Sequence, residues 1–89
     1  MKTVFKYTAP LAERITLLVP HSSKLLHIDT DTRDPDALAF WYEVDTRAGA
    51  WENRFVIVGT GQVIPDDANG HVASVKTGAF IWHIYKVMK

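Results

Sequence analysis

The sequence predicts an all-β fold, a single small antiparallel sandwich or barrel of about six or seven strands. Apolar and polar side chains alternate with period two in most segments of the chain, which is typical of strands. Clusters of Gly, Pro, Asn, Asp and Ser separate these segments at short intervals, as turns between antiparallel strands do. No segment shows a convincing helical period, so helices are not expected to contribute to the core.

Seven segments have the character of strands, and each is bounded by residues that favour turns or loops. They are residues 3–8, 14–19, 25–31, 38–45, 54–58, 71–76 and 79–87. Pro10 ends the first segment, because proline cannot donate to a strand ladder. The second is expected to direct Ile15, Leu17 and Val19 inward and Leu18 outward.

The three middle segments differ in which of their faces are apolar. Residues 25–31 are expected to form a strand in which Leu26 and Ile28 share one face and the other face is polar. Residues 38–45 carry aromatic side chains on both faces. Residues 46–53 are predicted to form a hairpin loop that exposes Trp51 and leads into the next, buried strand.

A loop over residues 63–70, with the turn pair Asn69-Gly70, precedes the last two strands, which a tight turn at Thr77-Gly78 joins. The last strand, like residues 38–45, is apolar on both faces. A sheet normally leaves one face polar, so such strands indicate the centre of a sandwich, a subunit interface, or both. We therefore expect a homo-oligomer.

The size and charge of the chain exclude several classes of function. With 89 residues the chain forms one domain over residues 1–89, and its 47% hydrophobic content is more than so small a domain easily hides. Ten basic and ten acidic residues give a net charge of zero, which does not favour binding to DNA or to an anionic membrane. There is no cysteine, and no segment has the length of a signal peptide core or a transmembrane helix. The expected location is the cytoplasm.

Catalytic and metal-binding residues are sparse. His27, Asp29 and Asp31 alternate on one predicted strand, but same-face neighbours on a strand lie about 6.5–7 Å apart, which is wide for ligands of one metal ion. A solvated polar face is the simpler interpretation, so no metal and no cofactor is predicted. His83 is expected to be a hydrogen-bonded core residue. No serine has a nucleophile motif and there is no cysteine, so an enzyme is not expected.

A glycine turn after a buried strand is the best candidate for a ligand site. The candidate ligand-binding residues are Arg47, Trp51, Arg54, Gly59, Thr60 and Gly61. Backbone N–H groups of the turn could hold a phosphate, and the indole of Trp51, between two arginines, could stack on an anionic ligand such as a nucleotide. The turn could equally be a bend at the corner of a sheet. Because no helix and no lysine follow it, Rossmann and P-loop sites are excluded.

Several short motifs together resemble a known family. They are Val-Phe-Lys-Tyr at 4–7, Leu-Leu-His-Ile at 25–28, an aromatic strand that ends in Val44-Asp45, Phe-Val-Ile-Val-Gly-Thr-Gly at 55–61 and Phe-Ile-Trp-His-Ile-Tyr at 80–85. In this order they resemble a widespread family of short uncharacterised proteins of phages and their bacterial hosts, over nearly the whole chain. The sequence departs from that family in carrying Gln62-Val63 where a His-Pro pair is frequent.

The resemblance implies a small phage accessory protein in the host cytoplasm. Compact oligomeric phage proteins of this size often counter host defence, and some sequester cyclic-nucleotide immune signals without cleaving them. The expected function is therefore a non-enzymatic sponge that binds and sequesters such an anionic ligand. The alternative is a protein-interaction module, or a minor structural phage protein, that docks on a host or virion protein.

Overall fold

The computed structural model describes residues 1–87, which form seven β-strands. The strands are β1 (Lys2–Pro10), β2 (Arg14–Pro20), β3 (Lys24–Thr30), β4 (Ala37–Asp45), β5 (Ala50–Gly59), β6 (Ala68–Thr77) and β7 (Phe80–Val87). This part of the chain contains no helix, and so no helix that could cross a membrane. The all-β prediction is confirmed, and each of the seven predicted strands corresponds to an observed one.

The strands form two antiparallel sheets that pack against each other as a small sandwich. One sheet has the strand order β1-β4-β3, and the other has the order β2-β5-β7-β6. At one side the edge strands β3 and β6 approach each other, and Thr30 Oγ1 donates a hydrogen bond to the carbonyl of Lys76 at 2.8 Å. The two sheets share no strand pairing among the described residues, so the fold is a sandwich rather than a closed barrel.

The connection between β4 and β5 differs from the prediction. A hairpin loop over residues 46–53 would place the two strands side by side, but they belong to different sheets, and only residues 46–49 connect them. β5 begins at Ala50, so Trp51 lies in a strand and pairs with Val19. The hairpin prediction is wrong because local turn chemistry does not specify which sheet the next strand joins.

The core lies between the sheets and centres on two phenylalanines. Phe40 of β4 and Phe55 of β5 are fully buried, and their ring centroids are 5.1 Å apart. The other buried members of the core are Ile15, Leu17, Val19, Ile28, Leu38, Tyr42, Val44, Ile57, Val75 and Ile84. The predicted inward face of β2 is therefore confirmed, and Leu18 is exposed on the opposite face as expected.

β3 departs from the regular alternation that the sequence predicts. Its register with β4 shifts between Leu25 and His27, so Leu26 is an extra residue in a β-bulge. As a result Leu25 packs against the core on the same side as Ile28, and Leu26 is exposed. A one-residue shift exchanges the two faces of a strand, so the predicted grouping of Leu26 with Ile28 is wrong.

The strands with two apolar faces are only partly covered within the single chain. In β4, Ala39 points away from Phe40 and is nevertheless fully buried; it is a small residue in the middle strand of its sheet, paired with Thr8 on one side and Asp29 on the other. In β7, by contrast, Phe80 is 65% exposed and Ile81 is also exposed. The first two residues of β7 therefore have apolar side chains that the rest of the described chain leaves exposed to solvent.

The connection from β5 to β6 passes along the four-stranded sheet. Both strands pair antiparallel with β7, so they run in the same direction, and residues 60–67 have to return along the sheet. Arg14 holds this connection by two hydrogen bonds to the carboxylate of Asp67, at 2.8 and 3.0 Å. The side chains of Val56 and Val58 point away from the core and are nevertheless buried. We attribute their burial to the connection between β5 and β6.

Replacing Phe55 by alanine is expected to lower the free energy of unfolding by about 3–5 kcal/mol, because it removes a buried ring from the centre of the core. The measurement is urea-induced unfolding followed by tryptophan fluorescence. As a control, Leu18→Ala removes an exposed leucine and should change the same free energy by no more than about 0.5 kcal/mol. Equal stability of the two variants would contradict the placement of the core.

Candidate functional site

The predicted ligand residues lie in three separate places: the first half of β5, the turn at the end of β5, and the connection between β4 and β5. Arg54 and Gly59 both belong to β5, and the five residues of strand rise between them correspond to about 16 Å. Arg47 lies in the connection between β4 and β5, where its Nε is 3.3 Å from the carboxylate of Asp45. Of the predicted residues only Trp51 and Arg54 line one cavity.

The glycine turn at the end of β5 is closed by Gln62. The backbone N–H of Gln62 donates to the carbonyl of Gly59 at 3.0 Å, and the N–H of Gly59 donates to Oε1 of the Gln62 side chain at 2.8 Å. Gly61 has a φ of 91°, a left-handed conformation that favours glycine at the third position of a turn. The N–H of Gly59, one of the groups predicted to hold a phosphate, is therefore already bonded within the turn.

Thr60, between the two glycines, begins a series of hydrogen-bonded side chains that we call the hydroxyl–imidazole network (Thr60, His83, Ser74 and His71). Thr60 Oγ1 lies 3.0 Å from Nε2 of His83, and Nδ1 of the same ring lies 2.8 Å from Ser74 Oγ. Nε2 of His71 lies 2.9 Å from that Oγ. His83 is hydrogen-bonded as the sequence predicts, but it lies on the outward face of the sheet and is half-buried, so its assignment to the core is wrong.

The register of the β6–β7 hairpin brings part of this network together. Thr77 pairs with Phe80 across the two-residue turn Gly78-Ala79, and the same register places Ser74 opposite His83. The sequence contains this signal, because a two-residue turn fixes the pairing along a hairpin up to its first bulge. The sequence predicts this turn at Thr77-Gly78, one residue earlier than the observed turn. A turn at that position would not place Ser74 opposite His83.

A bulge in β6 adds His71 to the network. The register shifts between His71 and Ala73, so His71 pairs with Tyr85. The extra residue, Val72, turns His71 to the same outward face as Ser74, three positions later. The ring of His71 packs edge-on against Tyr85, with centroids 5.4 Å apart. A bulge has no reliable local sequence pattern, so the sequence did not identify His71 as a candidate site residue.

A shallow cavity of about 450 Å³ lies beside the first half of β5. The residues that line it include Leu18, Trp51, Arg54 and Lys86. On β5, Trp51 is an even number of residues from the buried Phe55 and Arg54 is adjacent to it, so the side chains of Trp51 and Arg54 leave the strand on opposite faces. Trp51 is 52% exposed, and its ring makes a T-shaped contact with the ring of His21, with centroids 5.0 Å apart. Nε and Nη2 of Arg54 donate to Oε1 of Glu52 at 3.2 and 2.6 Å. The cavity thus has an exposed aromatic residue and two cationic residues in its lining, and one of the cationic residues is paired with Glu52.

The polar side chains of β3 and of Asp31, just beyond it, make two separate contacts. Nε2 of His27 lies 3.6 Å from the Asp29 carboxylate. Asp31 follows the end of the strand, and its carboxylate accepts a hydrogen bond from Nζ of Lys6 at 2.9 Å, which lowers the pKa of Asp31. Within residues 1–87 no group of three or more His, Asp or Glu side chains is arranged to hold a metal ion.

Replacing Gly59 by alanine is expected to lower the free energy of unfolding by about 1–3 kcal/mol, because the new Cβ would overpack the turn. It would lie 3.1 Å from Cζ3 of Trp82 and 3.3 Å from the side chain of Gln62. The Trp82 ring cannot easily yield, since its Nε1 donates to Thr77 Oγ1 at 2.7 Å. Thermal and urea unfolding measure the effect.

Gly49→Ala is the matched control for this substitution. A Cβ at Gly49 has no neighbour within 4 Å, and its φ is not in the left-handed region, so stability should change by no more than about 0.5 kcal/mol. If Gly59→Ala is as stable as Gly49→Ala, close packing does not explain the glycine at the end of β5.

Comparison with known proteins identifies the family of the chain. No curated protein and no solved structure gives a significant match. A family model described as a domain of unknown function, DUF7352, matches residues 1–89, which include both the cavity and the hydroxyl–imidazole network. This match confirms the predicted resemblance as far as an uncharacterised family that covers the whole sequence. The chain belongs to the DUF7352 family of domains of unknown function.

Proposed function

We propose that the protein is a non-enzymatic binding protein that holds a small anionic ligand of the cyclic-nucleotide class in the cavity beside Trp51. The supporting observation is that the exposed Trp51 and two cationic residues, Arg54 and Lys86, line one cavity. The wider hypothesis follows the sequence resemblance: a phage accessory protein in the host cytoplasm that sequesters an immune signal without cleaving it.

The chemistry of the lining suits a planar base joined to a phosphate. A base can stack on the indole of Trp51, and Arg54 and Lys86 can bind phosphate oxygens. The cavity volume of about 450 Å³ lies within the usual range for small-molecule sites, about 300–1,000 Å³. With Glu52 included, the lining carries one net positive charge, which favours an anion.

Glu52 is the group that an anionic ligand has to displace. Its carboxylate accepts the hydrogen bonds from Nε and Nη2 of Arg54, and both side chains are about half exposed. Exposed ion pairs of this kind contribute only about 0–1 kcal/mol. A phosphate that binds the guanidinium through two oxygens can therefore replace the carboxylate.

Calorimetric titration with a panel of cyclic dinucleotides and cyclic oligonucleotides is expected to show binding that Trp51→Ala weakens by about 5- to 150-fold. The loss corresponds to one stacked base, about 1–3 kcal/mol. Arg54→Ala should also weaken binding, and Glu52→Ala should strengthen it because it removes the competing carboxylate. Ligand recovered after denaturation should be intact, as expected for a protein that does not cleave it.

Arg47→Ala is the matched control, since Arg47 is equally cationic but lies outside the cavity. It should leave the affinity unchanged. The proposal fails if no member of the panel produces heat or a rise in Tm, or if Arg47→Ala weakens binding as much as Arg54→Ala does.

A second candidate function, protein interaction, is supported by the free edge of β1. Along its nine residues β1 pairs with β4 only, and no other described strand covers its outer edge. Val4 and Phe5 on this strand are 53% and 43% exposed. A long edge strand with exposed apolar side chains favours pairing with another strand. We propose that its partner is β1 of a second copy.

The sequence of β1 is compatible with antiparallel pairing to itself. If the pairing is centred on Phe5, Lys6 lies opposite Val4 of the second copy, and Lys2 lies opposite Thr8. No lysine then faces another lysine, so like charges do not oppose the contact. The two-fold arrangement is self-complementary, as homodimer interfaces require.

Val4→Lys is expected to convert the dimer into a monomer, because the new ammonium group would face Lys6 of the second copy. Light scattering coupled to size-exclusion chromatography measures the mass. Val63→Lys is the control, since it changes an exposed valine in the connection between β5 and β6 and should leave the mass unchanged. A monomeric wild-type protein, or an unchanged mass for Val4→Lys, would exclude this dimer and leave the edge to a different partner protein.

A further inference from the structure

We infer that His71 and His83 form a binding site for a divalent transition-metal ion of the kind that imidazole favours, such as Zn²⁺, Ni²⁺ or Cu²⁺. The inference does not depend on the proposed function. The two histidines lie beside Val58 near the end of β5, whereas the cavity lies beside residues 50–54. The evidence is the geometry of the hydroxyl–imidazole network.

Two imidazole nitrogens from neighbouring strands point at one position. Nδ1 of His83 and Nε2 of His71 lie 2.8 and 2.9 Å from the same atom, Ser74 Oγ. A serine hydroxyl has one proton and can donate it to only one of the two rings. The second ring therefore has to donate its own N–H to the oxygen, and a metal ion in this position could accept a lone pair from both nitrogens.

The adjustment that metal binding requires is small. Metal–nitrogen bonds of about 2.0–2.1 Å are shorter than the present nitrogen–oxygen distances, so each ring has to move by about 0.8 Å. His71 can move because it is exposed and lies at the bulge of β6. Ser74 is also exposed, and rotation about its χ1 angle takes the hydroxyl out of the position between the rings.

Thr60 prepares His83 for this role. Its Oγ1 lies 3.0 Å from Nε2 of His83 and can accept the N–H of that nitrogen. The tautomer protonated at Nε2 leaves the lone pair on Nδ1, the nitrogen that lies 2.8 Å from Ser74 Oγ. Metal-binding histidines are commonly held in this way by a hydrogen bond from the opposite ring nitrogen. Thr60 is itself positioned by the closed turn from Gly59 to Gln62.

The other two histidines do not share this arrangement. Nδ1 of His21 lies 3.0 Å from the hydroxyl of Ser22, and His27 approaches only the carboxylate of Asp29. Each therefore offers a single imidazole. The four histidines of the chain thus provide both the test and its controls.

The experiment is titration of the tag-free, chelator-treated protein with Zn²⁺, Ni²⁺ and Cu²⁺, by calorimetry and by the shift in Tm. We expect one ion per chain, and a Cu²⁺ spectrum in electron paramagnetic resonance that shows coupling to two nitrogens. His71→Gln and His83→Gln should each weaken binding at least tenfold, whereas His21→Gln and His27→Gln should not. All four variants should keep the metal-free Tm within a few degrees, because the substituted side chains are exposed or half-buried.

Two further variants separate metal binding from a purely structural network. Thr60→Val should reduce metal affinity by about 10–100-fold, the usual effect of removing a hydrogen bond to a ligating histidine. Ser74→Ala should retain or strengthen binding, because it removes the hydroxyl that occupies the position of the metal. The inference is overturned if the wild-type protein binds none of the three ions, if His27→Gln weakens binding as much as His71→Gln, or if Ser74→Ala abolishes it.

Discussion

The contact between Phe40 and Phe55 joins the two sheets, and the positions of both candidate sites depend on it. Each ring comes from a strand inside its sheet, so the contact lies at the centre of a thin core. Side chains on a strand alternate between the faces, and burial of Phe55 and Ile57 therefore directs Arg54 outward, whereas Thr60 lies in the turn that begins where β5 ends. The apolar core thus determines which polar groups of β5 reach the surface.

The strands could be predicted from the sequence, but their arrangement could not. Period-two alternation and turn residues depend on neighbouring positions only, and they located all seven strands. Which strands pair is a non-local property, and this is why residues 46–53 were assigned to a hairpin although β4 and β5 lie in different sheets. The bulges at Leu26 and Val72 caused further differences, because one inserted residue exchanges the faces of all residues beyond it.

The candidate site shows the same division between local and non-local information. Trp51 and Arg54 are three positions apart and do line one cavity, as their proximity in sequence suggested. Gly59 is only five positions beyond Arg54, but an extended strand places it about 16 Å away. In the hydroxyl–imidazole network, by contrast, residues that are far apart in the sequence are close together in space. Thr60 and His83 are 23 positions apart and yet in hydrogen-bonding contact, because β5 and β7 are neighbours in the sheet.

The two proposed sites share one sheet but should act independently. The buried side chains of Val56 and Val58 lie between them, and Arg54 and Val58 are separated by about 13 Å of strand. Sites more than about 7–10 Å apart that share no partner usually contribute additively. At physiological salt a charge on one exposed site is also screened within about 8 Å, so a metal ion near His83 adds little attraction for an anion at Arg54. Binding at either site can therefore be measured in the same protein without interference from the other.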